Sequence, residues 1–191
     1  NDEAMISSVV ERFAGDLPME VIFVRQTAPG KRVALGLALR AIARNGAYGD
    51  DPVVFMDGDS ILVPGCLARC LPIFPILPSV QALTTLETAV VFGKKWMQKW
   101  LDLRFAQRHM VMQSHALSWK VLTLTGRMSV FRARRIVEES FISTIENDHL
   151  DHWLWGRFGF LSGDDKSTWY WLLREKAQML YVPDARVYTI D

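Results

Sequence analysis

Val53-Val54-Phe55-Met56-Asp57-Gly58-Asp59-Ser60 is the stretch on which the reading of this chain turns. Its first four residues are a continuous apolar run of strand formers, the pattern of a strand covered on both faces. The run ends in a polar turn, and a helix is expected to restart after Pro64. Upstream, residues 20–24 read as a short buried strand. Residues 31–44 then carry Val33, Ala34, Leu37, Ala38, Ala41 and Ile42 at helical spacing. Strand, helix and strand in succession predict an α/β domain with a mostly parallel sheet flanked by helices.

The pattern continues on both sides. A helix is predicted over 4–13, a strand near 80–86, a long helix over 94–117, a strand pair near 121–131, a helix over 167–176 and a last strand near 179–182. No internal repeat and no low-complexity linker divides the chain, so residues 1–191 are expected to form one domain. With 191 residues, half of them apolar, the chain is long enough to bury one sizeable core. It opens inside a helix and ends after a strand, as a fragment of a longer protein would.

The 22 Lys and Arg residues nearly cancel the 21 Asp and Glu, leaving a net charge of +1 and no overall electrostatic footprint for nucleic acid. Cys66 and Cys70 stand four apart in a predicted helix, where packing is the better reading than a disulfide or a metal pair. The least charged stretch, 70–86, is cut by Pro72, Pro75 and Pro78 before it reaches spanning length.

Ligands of open α/β sheets sit beyond the carboxyl ends of strands, which is where Asp57 and Asp59 fall. Two carboxylates separated by one residue of extended backbone project to the same side, and Gly58 lets a ligand approach the main chain. Such a pair suits Mg²⁺ (or Mn²⁺) carrying the diphosphate of a nucleotide. An Asp-Gly-Asp alone is also an ordinary turn, and its place after a buried strand favours the site.

A second acidic segment, Ser162-Gly163-Asp164-Asp165-Lys166-Ser167, precedes a helix with Trp169, Leu172 and Leu173 at helical spacing. Asp is a favoured N-cap, and a helix N-terminus stabilises a carboxylate anion, which suits a residue that accepts a proton from a sugar hydroxyl. One acidic site for a leaving group and another for a base is the division of labour an inverting glycosyl transfer needs.

Other features are weaker. Pro29-Gly30-Lys31-Arg32 lacks the glycine and hydroxyl of a phosphate loop, whose places are taken by Arg25 and Arg32. His149 and His152, beside Asp148 and Asp151, read as a solvated loop. Trp96, Trp100, Leu103 and Met110 form a stripe on a helix rich in Lys and Arg. That composition suits an anionic membrane surface, with core packing favoured slightly. Trp153, Trp155, Trp169 and Trp171 suit either a polysaccharide groove or core.

The order of these segments resembles the processive family-2 glycosyltransferases, which include cellulose, chitin and hyaluronan synthases and share a GT-A (Rossmann-like) fold. Gly30-Lys31-Arg32 looks like their Lys-containing segment and Asp57-Gly58-Asp59 like Asp-x-Asp. Thr125-Gly126-Arg127-Met128-Ser129 looks like the acceptor segment and Gly163-Asp164-Asp165 like Thr-Glu-Asp. Within the family the chain is most similar to the alginate-polymerising mannuronan synthases. That likeness lies in Phe55 to Ser60, Arg104-Phe105-Ala106-Gln107-Arg108-His109, Leu124 to Arg132 and Gly163 to Ser167. The first nucleotide-binding Asp and the Gln-x-x-Arg-Trp segment of the family have no counterpart.

The resemblance implies that Asp57 and Asp59 hold nucleotide and Mg²⁺, that Lys31 lies by the donor nucleotide, and that Thr125, Gly126 and Arg127 meet the acceptor. It makes Asp165 the base, with Asp164 supporting it. It implies transfer of mannuronate from GDP-mannuronate to a growing β-1,4 polysaccharide. It also implies transmembrane helices outside this segment, placement at the cytoplasmic face of a bacterial inner membrane, a co-subunit that binds cyclic di-GMP, and an export complex. A cellulose-like synthase using a UDP-sugar and a non-catalytic assembly platform are the alternatives.

Overall fold

The computed structural model describes residues 2–14, 20–27, 30–158 and 163–190. Five strands, β1 (Pro52–Phe55), β2 (Ser60–Leu62), β3 (Val80–Val90), β4 (Ser129–Arg132) and β7 (Gln178–Ile190), form one sheet in the order β1-β4-β3-β7-β2. A separate hairpin joins β5 (Leu150–His152) to β6 (Gly156–Phe158). The helices are α1 (Asp2–Ala14), α2 (Lys31–Arg44), α3 (Cys66–Cys70), α4 (Ile73–Ile76), α5 (Lys95–Ala116), α6 (Ala133–Ile136), α7 (Glu139–Glu146) and α8 (Asp164–Arg174).

The α/β class stands, with helices around one sheet, but the sheet is mixed rather than mostly parallel. Among the described residues only β3 and β7 pair in parallel; β1 with β4, β3 with β4 and β2 with β7 are antiparallel. Two observations explain the difference. Residues 20–24, expected to be a buried strand beside β1, form no strand, and Val21, Ile22, Phe23 and Val24 lie exposed. The second is α5, which folds back along β3. Its Gln98 side chain bonds the backbone of Ala89 and Val91, and nearly three turns later Arg108 reaches Glu87.

A 22-residue helix spans about 33 Å and an 11-residue strand about 36 Å, so α5 returns to the start of β3. Residues 117–128 then climb back as an irregular, partly buried segment, and β4 descends antiparallel to β3. The predicted strand pair over 121–131 is therefore a single strand preceded by that return segment, into which Met179 N donates at Trp119 O (2.9 Å).

Both faces of the sheet are covered at its central strands, but β1 is an edge strand in which Val53 is buried and Val54 exposed, so its apolar run is not covered on both faces as expected. On one face Ala82 and Phe131 pack with Leu39, Phe141, Ile145, Leu172 and Met112; on the other, their strand neighbours Leu83 and Val130 pack with Cys66, Cys70, Phe74 and Val187. The period of two along each strand assigns the residues to their sides. Cys66 and Cys70 are free and buried, as the packing reading expects, and burial pushes the Cys70 thiol up to about 12.

Arg132 is almost wholly buried at the end of β4. It donates to the carbonyls of Val80 (2.6 Å), Phe74 (2.6 Å) and Leu77 (3.0 Å), lies over the Phe74 ring, and pairs with Asp50 at 3.1 Å. It thereby ties α4 and the start of β3 to β4. Arg132→Ala strands those carbonyls without donors, and a loss of about 3–5 kcal/mol is expected, read as a lowered thermal midpoint of the full-length protein.

Candidate active site

Residues 56–59 carry the chain from β1 to β2, and Ser60 N closes the turn on Asp57 O at 3.2 Å. Lys31, the first residue of α2, places its Nζ 2.7 Å from Asp57 Oδ1 and 3.3 Å from Asp164 Oδ2. One ammonium thus joins the two acidic segments, which lie over a hundred residues apart in the chain. Partial burial works against the Lys31 charge, but the hydrogen bond to Asp57 and the charges of Asp164 and Asp57 outweigh it, and its pKa is raised.

The second segment is held from the neighbouring position. Gly163 takes a left-handed conformation (φ 94°) that starts α8, and Asp164 and Asp165 fall in its first turn, where the helix dipole favours anions. Arg32 donates to Ser167 Oγ (2.9 Å), to Asp148 Oδ2 (3.2 Å) and to the Ile145 carbonyl (3.3 Å), and Ser167 Oγ also donates to Asp148. Consecutive residues of α2 therefore fix both the carboxylate of Asp164 and the helix that carries it. Pro29 and Ser162, which flank these segments, lie outside the described residues.

Residues 125–127 run beside the acidic turn. Gly126 sits so close to Asp57 that an added Cβ would meet Asp57 Oδ2 at 2.7 Å, so only glycine fits there unless Asp57 moves. Thr125 is buried, with its hydroxyl engaged by Thr84 Oγ1 (3.2 Å) and the Met128 carbonyl (3.3 Å). Arg127 donates to Glu87 Oε2 at 3.4 Å and lies over Phe105. Glu87 is buried on β3 and also accepts from Arg108 at 2.9 Å. Nearby, burial and the Glu87 charge push the Tyr181 phenol, 2.7 Å from His109 Nδ1, up to about 12.

Two hollows meet here. A cavity of about 220 Å³ is lined by Lys31, Asp57, Thr125, Gly126, Asp164 and Asp165, with an apolar back wall that includes Phe55 and Leu39. A larger groove of about 770 Å³ runs along α5 and is lined by Trp100, Arg104, Arg108, Arg127, Lys166 and again Asp165. Among the described residues Asp165 alone lines both.

Most residues singled out from the sequence are thus brought together. Asp59 is not: it is exposed across Gly58 and does not line the cavity, and Arg127 faces the groove. The stripe of Trp96, Trp100, Leu103 and Met110, expected to be core, is exposed. Trp171 is core, Trp169 is half-buried with its indole donating to the Val121 carbonyl, and Trp153 and Trp155 stand out on the β5–β6 hairpin; none lines either hollow. His149 lies in the exposed loop before β5, as expected, and meets Asp151 at 3.3 Å, whereas His152 ends β5 next to the hairpin turn.

Sequence reading missed Glu87, Arg32, Asp148 and Ser167. Glu87 left a trace, as the one charged residue in a strand otherwise uncharged. The Arg32–Asp148–Ser167 set left none, because its members meet only through the packing of α2, α7 and α8.

A curled, helix-flanked sheet with two acidic segments joined by a lysine at one end is the architecture of a glycosyltransferase domain. The chain belongs to glycosyltransferase-like family 2, whose model matches residues 1–191. It is 42% identical over 191 residues to "Glycosyltransferase alg8" of Pseudomonas syringae pv. tomato, and 42% identical over the same length to the protein of that name from Azotobacter vinelandii. All of this chain is covered, and it spans 39% of the length of each of those curated relatives.

Lys31 contributes stability as the ammonium. Its folded pKa lies above the ordinary 10.5, so that contribution is present at neutral pH and is lost as pH rises through the folded value. Lys31→Met is expected to be less stable than wild type at neutral pH, with the gap closing above about pH 10.5. Thermal midpoints measured across that range check it.

Proposed function

We propose that this chain is the catalytic domain of an inverting, processive glycosyltransferase that polymerises mannuronate from GDP-mannuronate into β-1,4-linked polymannuronate for alginate biosynthesis. The observation that carries the reading is the junction at Asp165. One side is a cavity with the acidic turn and Lys31, suited to a nucleotide diphosphate; the other is an open basic groove suited to a polyanionic acceptor.

In this reading Lys31 and the acidic turn bind the donor diphosphate, and Asp165 takes the proton from the acceptor 4-hydroxyl. That oxygen attacks the anomeric carbon from the face opposite the diphosphate, the bond from that carbon to the diphosphate oxygen breaks, and GDP leaves with inversion. Asp164, held by Lys31 at 3.3 Å, anchors the first turn of α8 and so positions Asp165 beside it. Gly126 keeps the acceptor segment close to Asp57. Arg127 supports that segment through Glu87, and its charge is partly engaged there rather than free for a uronate carboxylate.

Asp57 and Asp59 would hold Mg²⁺ or Mn²⁺. Asp57 fits that use where it lines the cavity, and Asp59, exposed outside it, would reach the same ion from across Gly58, where nothing lies within 4 Å of an added Cβ. No set of three His, Cys, Asp or Glu side chains forms a metal cage among the described residues. When bound, the ion neutralises charge on the departing diphosphate.

The remaining parts of the reading rest on resemblance: a place at the cytoplasmic face of a bacterial inner membrane, a cyclic di-GMP-binding co-subunit and an export complex. No helix among the described residues is long and apolar enough to cross a membrane.

The test is polymer formation by the full-length protein with its assembly partners and Mg²⁺, offered labelled GDP-mannuronate, GDP-mannose, UDP-glucose or UDP-N-acetylglucosamine. Incorporation from GDP-mannuronate alone, abolished by Asp165→Asn with GDP binding kept, is expected. Incorporation from a UDP-sugar keeps the mechanism and discards alginate; no incorporation from any donor favours a platform. Gly126→Ala, which pushes Asp57 aside, is expected to lower transfer at least about a hundredfold without unfolding the protein, as misplaced reacting groups do.

A further inference from the structure

The groove along α5 carries charged lining that is basic except at one point: Arg104, Arg108, Arg127 and Lys166 face Asp165. The first three differ in what holds them. Glu87 draws Arg108 and Arg127 toward the sheet, whereas Arg104 is exposed and has no carboxylate partner among the described residues. Its guanidinium lies 4.8 Å from the centre of the Trp100 ring, and that ring is itself half exposed. The two residues are one helical turn apart, so a flat apolar face and a planar cation stand side by side. The lining runs from Met97 to Val111 along α5, about 21 Å, which is the length of several sugar units.

We propose that this groove is the acceptor subsite for an anionic glycan, in which Trp100 stacks against a sugar ring and Arg104 holds the carboxylate of a uronate unit behind the one being extended. The proposal rests on the reading of the domain as a uronate polymerase and names what that reading leaves open: where the product chain lies and which residues grip it. The occupant follows from the charges. A neutral glycan would leave Arg104 and Lys166 unanswered, while a chain with one carboxylate per unit meets both, and a guanidinium matches a carboxylate in a bidentate geometry. The position of Asp165 fixes the polarity. The end being extended lies at the junction with the donor cavity, and the older units extend past Lys166 and Arg127 toward Trp100 and Arg104.

Both side chains are exposed, so substitutions there spare the core. The test uses the full-length protein with its assembly partners. It measures binding of a mannuronate hexamer and of the same hexamer with its carboxyl groups reduced, together with product length. Arg104→Gln is expected to weaken the charged hexamer about tenfold and to shorten the polymer, leaving GDP affinity and the weak binding of the reduced hexamer unchanged. Trp100→Ala is expected to weaken both hexamers.

Unaltered hexamer affinity and product length in Arg104→Gln, with wild type making polymannuronate, overturns the subsite and leaves the functional reading standing. Wild-type incorporation of a UDP-sugar into a neutral polymer overturns both. Phosphatidylglycerol vesicles supply the remaining arm: loss of vesicle binding in Arg104→Gln, with hexamer affinity intact, makes this face a membrane contact and overturns the proposal.

Discussion

The link between β1 and β2 is the constraint on which the rest of the structure depends. Phe55 and Ser60 are five residues apart, a reach of at most about 18 Å even if fully extended. Yet β1 and β2 occupy opposite edges of the sheet, four strand spacings or about 19 Å apart if the sheet were flat. Register widens the gap further. Phe55 faces Ser129, opposite Thr84, whereas Ser60 faces Thr189, opposite Ala89. The turn closed by Asp57 and Ser60 shortens the available reach again. The sheet must therefore curl strongly to bring its two edges together. β7 supplies part of that curl, since Pro183 to Ala185 are extra residues between partners of Thr85 and Leu86, at a point where a proline's missing N–H is tolerated.

This closure has a chemical consequence. The acidic turn is the strap across the mouth of the curled sheet, where Lys31 and Gly126 meet Asp57 directly and Asp164 joins it through Lys31. Lys31 arrives on the first turn of α2, Gly126 on the segment before β4, and Asp164 on the first turn of α8. A carboxylate, an ammonium and a second carboxylate are then within hydrogen-bonding or ion-pair distance although their segments have no local relation. Arg32, largely covered by α7 and α8, gives the arrangement rigidity that the exposed Lys31 cannot supply alone.

Charge is divided in the same way. Glu87 is buried in the sheet and draws Arg108 and Arg127 inward, so the acceptor segment and α5 are tied to β3 by one carboxylate. That leaves the solvent side of α5 with Arg104 on Trp100. The helix has a weak apolar periodicity because its two faces do different work: Met112 enters the core while Trp96, Trp100, Leu103 and Met110 stay outside. Reading that stripe as core followed from residue type alone, which does not distinguish an apolar ring that fills a core from one that lines a groove.

The amino-acid sequence by itself determined the local features: the helix at Lys31–Arg44, the strand leading into the Asp57 turn, the long α5, the acidic start of α8, and the packing role of Cys66 and Cys70. These follow from periodicity and turn chemistry, which act over a few residues. Tertiary structure alone decided strand direction, because α5 matches β3 in length and returns the chain to the strand's start, so β4 enters antiparallel. It likewise decided that Lys31 bridges Asp57 and Asp164, that Asp59 stands apart, that Thr125 is buried, and that Glu87 grips two arginines. Those are meetings of residues tens to more than a hundred positions apart, and their geometry is set by the curl of one sheet rather than by any pattern along the chain.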